Sequence, residues 1–131
     1  MKNTVVKATS DSDKLYTEVK TADKNFFVDE PIETGGTDLS PNPIEYFVGS
    51  LAACTTITLQ LYAKRKGWNT GKIEVIAELD TNDSQDKKII KTIRFENQPS
   101  DEQVERLFAI AEICPVAKLI SEAVPMRINQ S

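Results

Sequence analysis

The chain has 131 residues and a formal net charge of −4. This length is typical of one domain, residues 1–131, that buries a core of its own. The acidic balance argues against nucleic acid or an anionic membrane as a partner, because both require a basic face. The amino terminus has no apolar segment of the kind found in secretion signals, so we expect a cytoplasmic protein.

Two residue counts restrict the chemistry: the chain has no histidine and only two cysteines. The lack of histidine excludes Ser-His-Asp and Cys-His catalysis and every zinc site that uses imidazole. Two cysteines alone form neither a closed structural zinc site nor a disulfide scaffold. We therefore expect no metal and no resident cofactor, and any nucleophile must be activated by a cation, a carboxylate or a helix terminus.

The first part of the chain predicts strands. Residues 4–8 favour a strand, residues 15–20 alternate in polarity, and residues 26–28 follow a second turn, so the short connections predict a three-stranded antiparallel meander. Residues 29–41 form a long irregular segment, of a length that often serves a site. Its acidic residues are expected to be solvated. Its pair Gly35-Gly36 lacks the spacing of a phosphate-binding loop and is assigned a backbone role only.

A helix is predicted over residues 42–67. The sequence Asn-Pro-Ile-Glu at 42–45 supplies an N-cap, a proline in the first turn and a capping-box carboxylate, Glu45. No residue between Glu45 and Lys64 carries a formal charge, and apolar residues occur on several faces, which is typical of a buried helix. Its glycine, serine, threonine and glutamine residues disfavour a membrane span. We expect a long buried central helix with Cys54 about half way along it.

The remaining chain predicts a hairpin, two helices and a strand. Residues 73–79 and 89–95 alternate in polarity, and a Ser-x-x-Gln capping box at Ser100 begins a helix. A short helix runs from Pro115 to about Ser121, and residues 124–128 alternate as a last strand. The element order β-β-β-α-β-β-α-β predicts an α+β domain.

The two cysteines differ in their surroundings. A lone cysteine on a helix, such as Cys54, is most often a small buried apolar residue. Cys114 precedes Pro115 and so occupies the N-cap of the short helix, where unpaired N–H groups favour a thiolate. The two thiols are either a redox pair or two structural residues. Glu45 either activates a thiol or only caps its helix.

Several motifs together resemble the OsmC/Ohr family of osmotically inducible and organic hydroperoxide resistance proteins. They are D-E-P at 29–31, G-G-T-D-L-S-P-N-P-I-E at 35–45, L-A-A-C at 51–54, A-K-R-K-G at 63–67 and C-P-V at 114–116. The resemblance covers nearly the whole chain in the same element order. It implies an OsmC-like fold, an intertwined homodimer, and a thiol peroxidase site at the subunit interface.

The resemblance also implies residue roles. Cys54 matches the thiol that attacks an organic hydroperoxide, Cys114 matches the resolving thiol, and the external dithiol reductant of the Ohr branch is a dihydrolipoyl group. Two positions depart from the family pattern. Ile44 occupies the place of the catalytic glutamate, with Glu45 about 100° further round the helix. No arginine precedes Arg65, so Lys14 is the nearest cation in the first hairpin. The chain thus resembles a less characterised OsmC-like branch.

The sequence leads to one hypothesis and two alternatives. The hypothesis is a cytoplasmic, peroxiredoxin-like hydroperoxide reductase of the stress response, with Cys54 and Cys114 as catalytic thiols and Glu45 and Lys14 as further candidates. The first alternative is a non-catalytic OsmC-like dimer that binds a small apolar ligand, with structural cysteines. The second is a thiol enzyme that acts on another electrophile. Rapid alkylation of Cys54 near neutral pH favours an enzyme, and two inert thiols favour the binding protein.

Overall fold

The computed structural model describes residues 3–130, so the ends of both termini lie outside the described residues. The elements are β1 (Lys7–Thr9), β2 (Thr17–Lys20), β3 (Asn25–Val28), a 3-10 turn (Ile32–Thr34), α1 (Pro43–Lys66), β4 (Ile73–Asp80), β5 (Lys88–Phe95), α2 (Asp101–Ala111) and α3 (Pro115–Ser121). This mixture confirms the predicted α+β class. The chain divides into two compact units, one ending at Phe47 and one starting at Val48. A single domain over residues 1–131 stays a prediction.

The N-terminal unit contains the predicted meander. Strands β1, β2 and β3 pair in that order, all antiparallel, and Val19 lies opposite Ala8 on one side and Phe26 on the other. Val19 is buried, and Tyr46 packs its ring against Phe26 and donates from its hydroxyl to the Phe27 carbonyl at 2.7 Å. Short turns and apolar alternation therefore suffice to specify this sheet.

The irregular segment after β3 is organised by a buried carboxylate. Asp29 accepts hydrogen bonds from the backbone N–H groups of Glu30 at 2.8 Å and of Thr37 and Leu39 at 3.2 Å, and from the Thr37 hydroxyl. The Thr37 hydroxyl contributes most to lowering the pKa of Asp29, while burial opposes it and the three N–H groups lower it further. The expectation that Asp29 is solvated is wrong, because the loop folds back on this residue.

The glycine pair has the predicted backbone role. Gly35 adopts a φ of 104°, which a residue with a side chain rarely does. A Cβ atom at Gly36 would lie 2.0 Å from the Glu30 carbonyl oxygen. The two glycines therefore let the loop close on Asp29.

The C-terminal unit is built on the predicted hairpin. Strands β4 and β5 pair antiparallel, with Ala77 opposite Lys91. The core consists of Leu59, Ile73, Leu107 and Ala111, against which Tyr62, Trp68, Val75, Ile93, Phe95 and Ile110 pack. The predicted capping box at the start of α2 is confirmed, with Ser100 and Gln103 exchanging hydrogen bonds of 3.2 and 3.0 Å.

Helix α1 has the predicted bounds but is less buried than expected. Its buried residues are Leu51, Thr55, Leu59 and Ala63, one stripe at intervals of four. Ile57 and Leu61 are 60% and 58% exposed, because elements of the same chain cover only that stripe. By length and composition α1 is also apolar enough to cross a membrane, a weak indication that core helices of soluble proteins share.

The last predicted strand is absent from the described part of the chain. Residues 124–130 have no regular secondary structure, and Ala123 turns the chain with a φ of 47°. Met126 and Ile128 are almost fully exposed. A strand requires a neighbour for its backbone hydrogen bonds, and no described strand pairs with this segment.

Candidate functional site

Cys54 lies on α1 in the C-terminal unit and is partly accessible. Its sulfur is half-buried and accepts a hydrogen bond from the Val116 backbone N–H at 3.5 Å. Neither Cys54 nor Cys114 takes part in a disulfide. Cys54 is therefore a free thiol on a partly exposed residue.

Cys114 is fully buried beside it. It occupies the N-cap of α3 with Pro115 at the first helical position, as the Cys-Pro pair predicts. Its sulfur lies 3.4 Å from the Thr55 Oγ1, and the N–H of Val116, two residues further along the chain, lies 3.5 Å from the Cys54 sulfur. The fold thus brings together the two thiols that the sequence singled out.

The surroundings of Cys114 favour its ionised form. Burial opposes ionisation, since a charge in an apolar interior loses its hydration. The Thr55 hydroxyl, the Ala117 N–H, Cys54 and the positive charge of Lys91 together outweigh this cost, so the pKa of Cys114 lies below its ordinary value. The Cys114 side chain makes no capping hydrogen bond to the first turn of α3. The main support comes from side chains outside α3.

Lys91 and Thr55 are site residues that the sequence analysis missed. The Lys91 ammonium donates to the Thr55 Oγ1 at 3.1 Å and to the Ala111 carbonyl at 2.7 Å. A signal for Lys91 was present in the sequence. In β5 it occupies the same alternating positions as the inward-facing Ile89 and Ile93, where a lysine is uncommon.

Glu45 and Lys14 belong to the N-terminal unit. Glu45 is exposed and completes a capping box with Asn42, through hydrogen bonds of 2.9 and 2.8 Å. Lys14 lines a cavity of about 510 Å³ together with Asp13, Leu15, Tyr16, Asp29, Gly35, Gly36, Thr37 and Leu39. The capping function of Glu45 is confirmed, and a catalytic function for either residue stays a prediction.

A mostly apolar cavity of about 310 Å³ lies in the C-terminal unit. It is lined by Thr58, Leu61, Tyr62, Arg65, Ile110, Ile113 and Pro115. Thr58 is one helical turn beyond Cys54, and Pro115 directly follows Cys114. Its volume is at the lower end of the range for small-molecule pockets. The cavity could hold an apolar molecule of modest size beside Thr58 and Pro115, and neither cysteine is among its lining residues.

No three cysteine, aspartate or glutamate side chains among residues 3–130 are grouped so as to hold a metal ion. The chemistry that the described residues offer is that of two adjacent thiols, a hydroxyl and an ammonium group. Thiol-disulfide exchange and attack on an electrophile are reactions that such a set supports.

The chain was compared with protein families, curated sequences and solved structures. The family model OsmC, described as OsmC-like protein, matches residues 35–129. No curated sequence gave a significant match.

Several solved structures share the fold. An OsmC-like protein from Mycoplasma pneumoniae has a TM-score of 0.71 at 18% identity, covering 92% of this chain and 88% of that chain. An organic hydroperoxide resistance protein OsmC from Legionella pneumophila has a TM-score of 0.63 at 21% identity, covering 92% and 90%. The organic hydroperoxide resistance protein OhrB of Bacillus subtilis has a TM-score of 0.57 at 24% identity, covering 88% of each. The family match spans most of the chain, and this chain belongs to the OsmC family.

Proposed function

We propose that this chain is a thiol peroxidase that reduces organic hydroperoxides through Cys54 and Cys114. The observation that carries the proposal is the position of the half-buried Cys54 thiol, whose sulfur lies 3.5 Å from the Val116 N–H, beside the segment that holds the fully buried Cys114. An accessible thiol can react with the oxidant. A buried thiol next to it can then form a disulfide with the oxidised sulfur before that sulfur is oxidised further. The names of the relatives from Legionella pneumophila and Bacillus subtilis support hydroperoxides as the substrate class.

The reaction has two steps on the protein. The Cys54 thiolate attacks the distal oxygen of the hydroperoxide, the O–O bond breaks, and the alkoxide takes a proton and leaves as an alcohol. Cys54 is then a sulfenic acid, and its sulfur lies 3.5 Å from the Val116 N–H. Cys114 attacks the oxidised sulfur and a disulfide forms with release of water.

An external dithiol closes the cycle by reducing the disulfide. A dihydrolipoyl group is one dithiol of the required chemistry. The proposed location is the cytoplasm, where the glutathione and thioredoxin systems keep thiols reduced between turnovers.

The proposed assembly is a homodimer. In the single chain, large apolar side chains of α1 are left exposed, and so are those of the segment that follows α3; they are Ile44, Phe47, Ile57, Leu61, Val124, Met126 and Ile128. Monomeric proteins rarely leave so many large apolar side chains of one helix and one segment in water. A second copy of the chain would cover these residues and could supply the missing neighbour for the alternating segment 124–128.

The cavity lined by Thr58, Leu61 and Pro115 favours a second candidate function. A non-catalytic dimer could use this mostly apolar space to bind a small apolar ligand, with Cys54 and Cys114 as packing residues. Under this alternative neither thiol reacts rapidly. A thiol enzyme that acts on another electrophile would also have reactive thiols, but it would not turn over hydroperoxides.

A dithiol-coupled assay with cumene hydroperoxide tests the proposal. Wild type should turn over, and Cys54→Ser should lose at least about a thousandfold in rate, because a serine hydroxyl does not attack a peroxide. Cys114→Ser should accumulate sulfenic acid at Cys54 and turn over slowly. Ala53→Ser, at the exposed neighbouring position of α1, is the matched control and should retain the wild-type rate.

Hydrogen peroxide provides the comparison of substrates. The apolar cavity contributes about 0.8 kcal/mol per buried methylene, so cumene hydroperoxide should have the higher kcat/KM. No turnover with either peroxide, together with slow alkylation of both thiols, would instead favour the ligand-binding alternative.

A further inference from the structure

Lys91 is a charged residue in an inward-facing position without an acidic partner. Among residues 3–130, no carboxylate forms a salt bridge with its ammonium group, which instead donates to Thr55 and to the Ala111 carbonyl. Ala111 is the last residue of α2, where carbonyl groups lack partners within the helix. The contact with Ala111 therefore fixes the ammonium in place, and its charge is not neutralised by an acid.

The hydrogen bond from Lys91 sets the direction of the next one. An ammonium group only donates, so the Thr55 oxygen accepts at 3.1 Å. A hydroxyl has one hydrogen, which is then available for the Cys114 sulfur at 3.4 Å. Thr55 and Cys114 are both fully buried, so water does not compete for these contacts. The three groups form a chain in which positive charge at Lys91 orients a donor toward Cys114.

We propose that Lys91, acting through the Thr55 hydroxyl, is the positioning residue that directs a hydrogen-bond donor at the Cys114 sulfur and so assists its attack on Cys54. This inference rests on the proposed peroxidase function and concerns its second step. The Cys114 thiolate attacks the sulfur of the Cys54 sulfenic acid, the S–S bond forms and the S–O bond breaks. The oxygen leaves as hydroxide and becomes water by taking up the proton that Cys114 released when it ionised. The two electrons come from the thiol pair, and the hydroperoxide is the oxidant.

Titration of Cys114 tests the role without any turnover. In a Cys54→Ser background, Cys114 is the only thiol, and its ionisation can be followed by the ultraviolet absorbance of the thiolate. The titrating and charged side chains that act on this sulfur are Lys91 from β5 and Cys54 from α1; no carboxylate among the described residues does so. Lys91→Met should move the midpoint to higher pH, and Lys91→Arg should restore most of the wild-type midpoint. Thr55→Val should also raise the midpoint of Cys114, since valine has nearly the shape of threonine but no hydroxyl to donate.

The controls for this titration come from the same elements. Lys88→Met removes an exposed lysine of β5, and Thr56→Val removes the hydroxyl that donates to the Ala52 carbonyl within α1. Both should leave the midpoint of Cys114 unchanged. The proposal is overturned if Lys91→Met and Thr55→Val also leave it unchanged while their circular dichroism spectra match that of the wild type. If Lys91→Met does not fold, the comparison of Thr55→Val with Thr56→Val decides the outcome.

A second readout separates this inference from the peroxidase function itself. After one equivalent of cumene hydroperoxide, Lys91→Met with both cysteines present should form the Cys54–Cys114 disulfide about threefold more slowly, because the loss of thiolate is only partly offset by its higher nucleophilicity. A trap for sulfenic acid should therefore capture more Cys54 than in wild type. If wild type forms no sulfenic acid at all, the peroxidase function fails, whereas the titration still supports or overturns the role of Lys91. An unchanged disulfide rate in Lys91→Met would contradict the inference.

Discussion

The two cysteines show how strongly the neighbours of a residue determine its chemistry. Cys54 is reachable and receives one backbone N–H, whereas Cys114 is buried among a hydroxyl, a backbone N–H and a nearby ammonium group. Burial alone would keep a thiol neutral and inert. The donors around Cys114 reverse that effect, which gives this buried residue a chemical role in the proposed cycle.

Glu45 provides a residue-scale prediction about capping. Its carboxylate accepts from the Asn42 N–H at 2.9 Å on an exposed helix terminus. Glu45→Gln should lower the free energy of unfolding by about 1 kcal/mol or less, because an amide oxygen still accepts. Urea denaturation measures this. If the carboxylate only caps α1, the alkylation rate of Cys54 should stay at the wild-type value; a fall by orders of magnitude at unchanged stability would indicate a catalytic role.

At the scale of elements, the shape of the loop at residues 29–41 depends on one hydrogen-bond acceptor, the Asp29 carboxylate, and on the close approach of the backbone at Gly36 to that at Glu30. Asp29 gathers N–H groups from three positions of the loop, and Gly36 lies against the Glu30 carbonyl. The acidic and glycine residues of such a segment look like ordinary turn residues in the sequence. Only the folded loop distinguishes the buried Asp29 from its exposed neighbour Asp38.

Asp29 makes the stability of this loop dependent on pH. Because the folded pKa of Asp29 is lowered, its contribution is fully present above the pKa of the unfolded chain and is lost as pH falls through the lower folded value. Asp29→Asn should therefore unfold at a lower temperature than wild type near neutral pH, and the difference should shrink in acid. Thermal melts at several pH values measure this, with the exposed Asp38→Asn as the control. A difference between Asp29→Asn and wild type that is independent of pH would contradict it.

A substitution at Gly36 tests how tightly the backbone of the same loop packs. A methyl group at this position would overlap the Glu30 carbonyl oxygen, so backbone must move to admit it. Gly36→Ala should cost about 1–3 kcal/mol of unfolding free energy. Gly49→Ala is the matched control, because a Cβ there has nothing within 4 Å and glycine is unfavourable within a helix. That control should be neutral or slightly stabilising. A Gly36→Ala protein as stable as wild type would show that the loop tolerates a side chain here.

At the scale of the whole molecule, the exposed apolar side chains predict a permanent dimer. Light scattering at micromolar concentration should give twice the mass of the chain, with a buried interface in the range of obligate complexes, about 2,000 Å² or more. Ile57→Glu on the exposed face of α1 should weaken association, because a buried charge without a partner is costly. Glu105→Lys on α2 is a charge-changing control at an exposed polar position. A folded monomer at this concentration would contradict the prediction.

The sequence determined those features whose causes lie within a few residues of one another. The capping boxes at Asn42 and Ser100, the N-cap position of Cys114 and the alternation in β4 and β5 are local, and the structure confirms them. Tertiary structure decided the rest. The segment 124–128 alternates like a strand, yet a strand also needs a partner that the single chain does not provide.

The thiol site shows the same division. Its two cysteines were evident from their motifs, but Thr55 and Lys91 come from α1 and β5, and the contacts that they make span 59 and 36 residues of sequence. A hydrogen bond depends on distances of about 3 Å, and only the packing of α1, β5 and the junction before α3 sets those distances. The amino-acid sequence by itself therefore singled out the two thiols, and tertiary structure decided which hydroxyl and which ammonium group lie beside them.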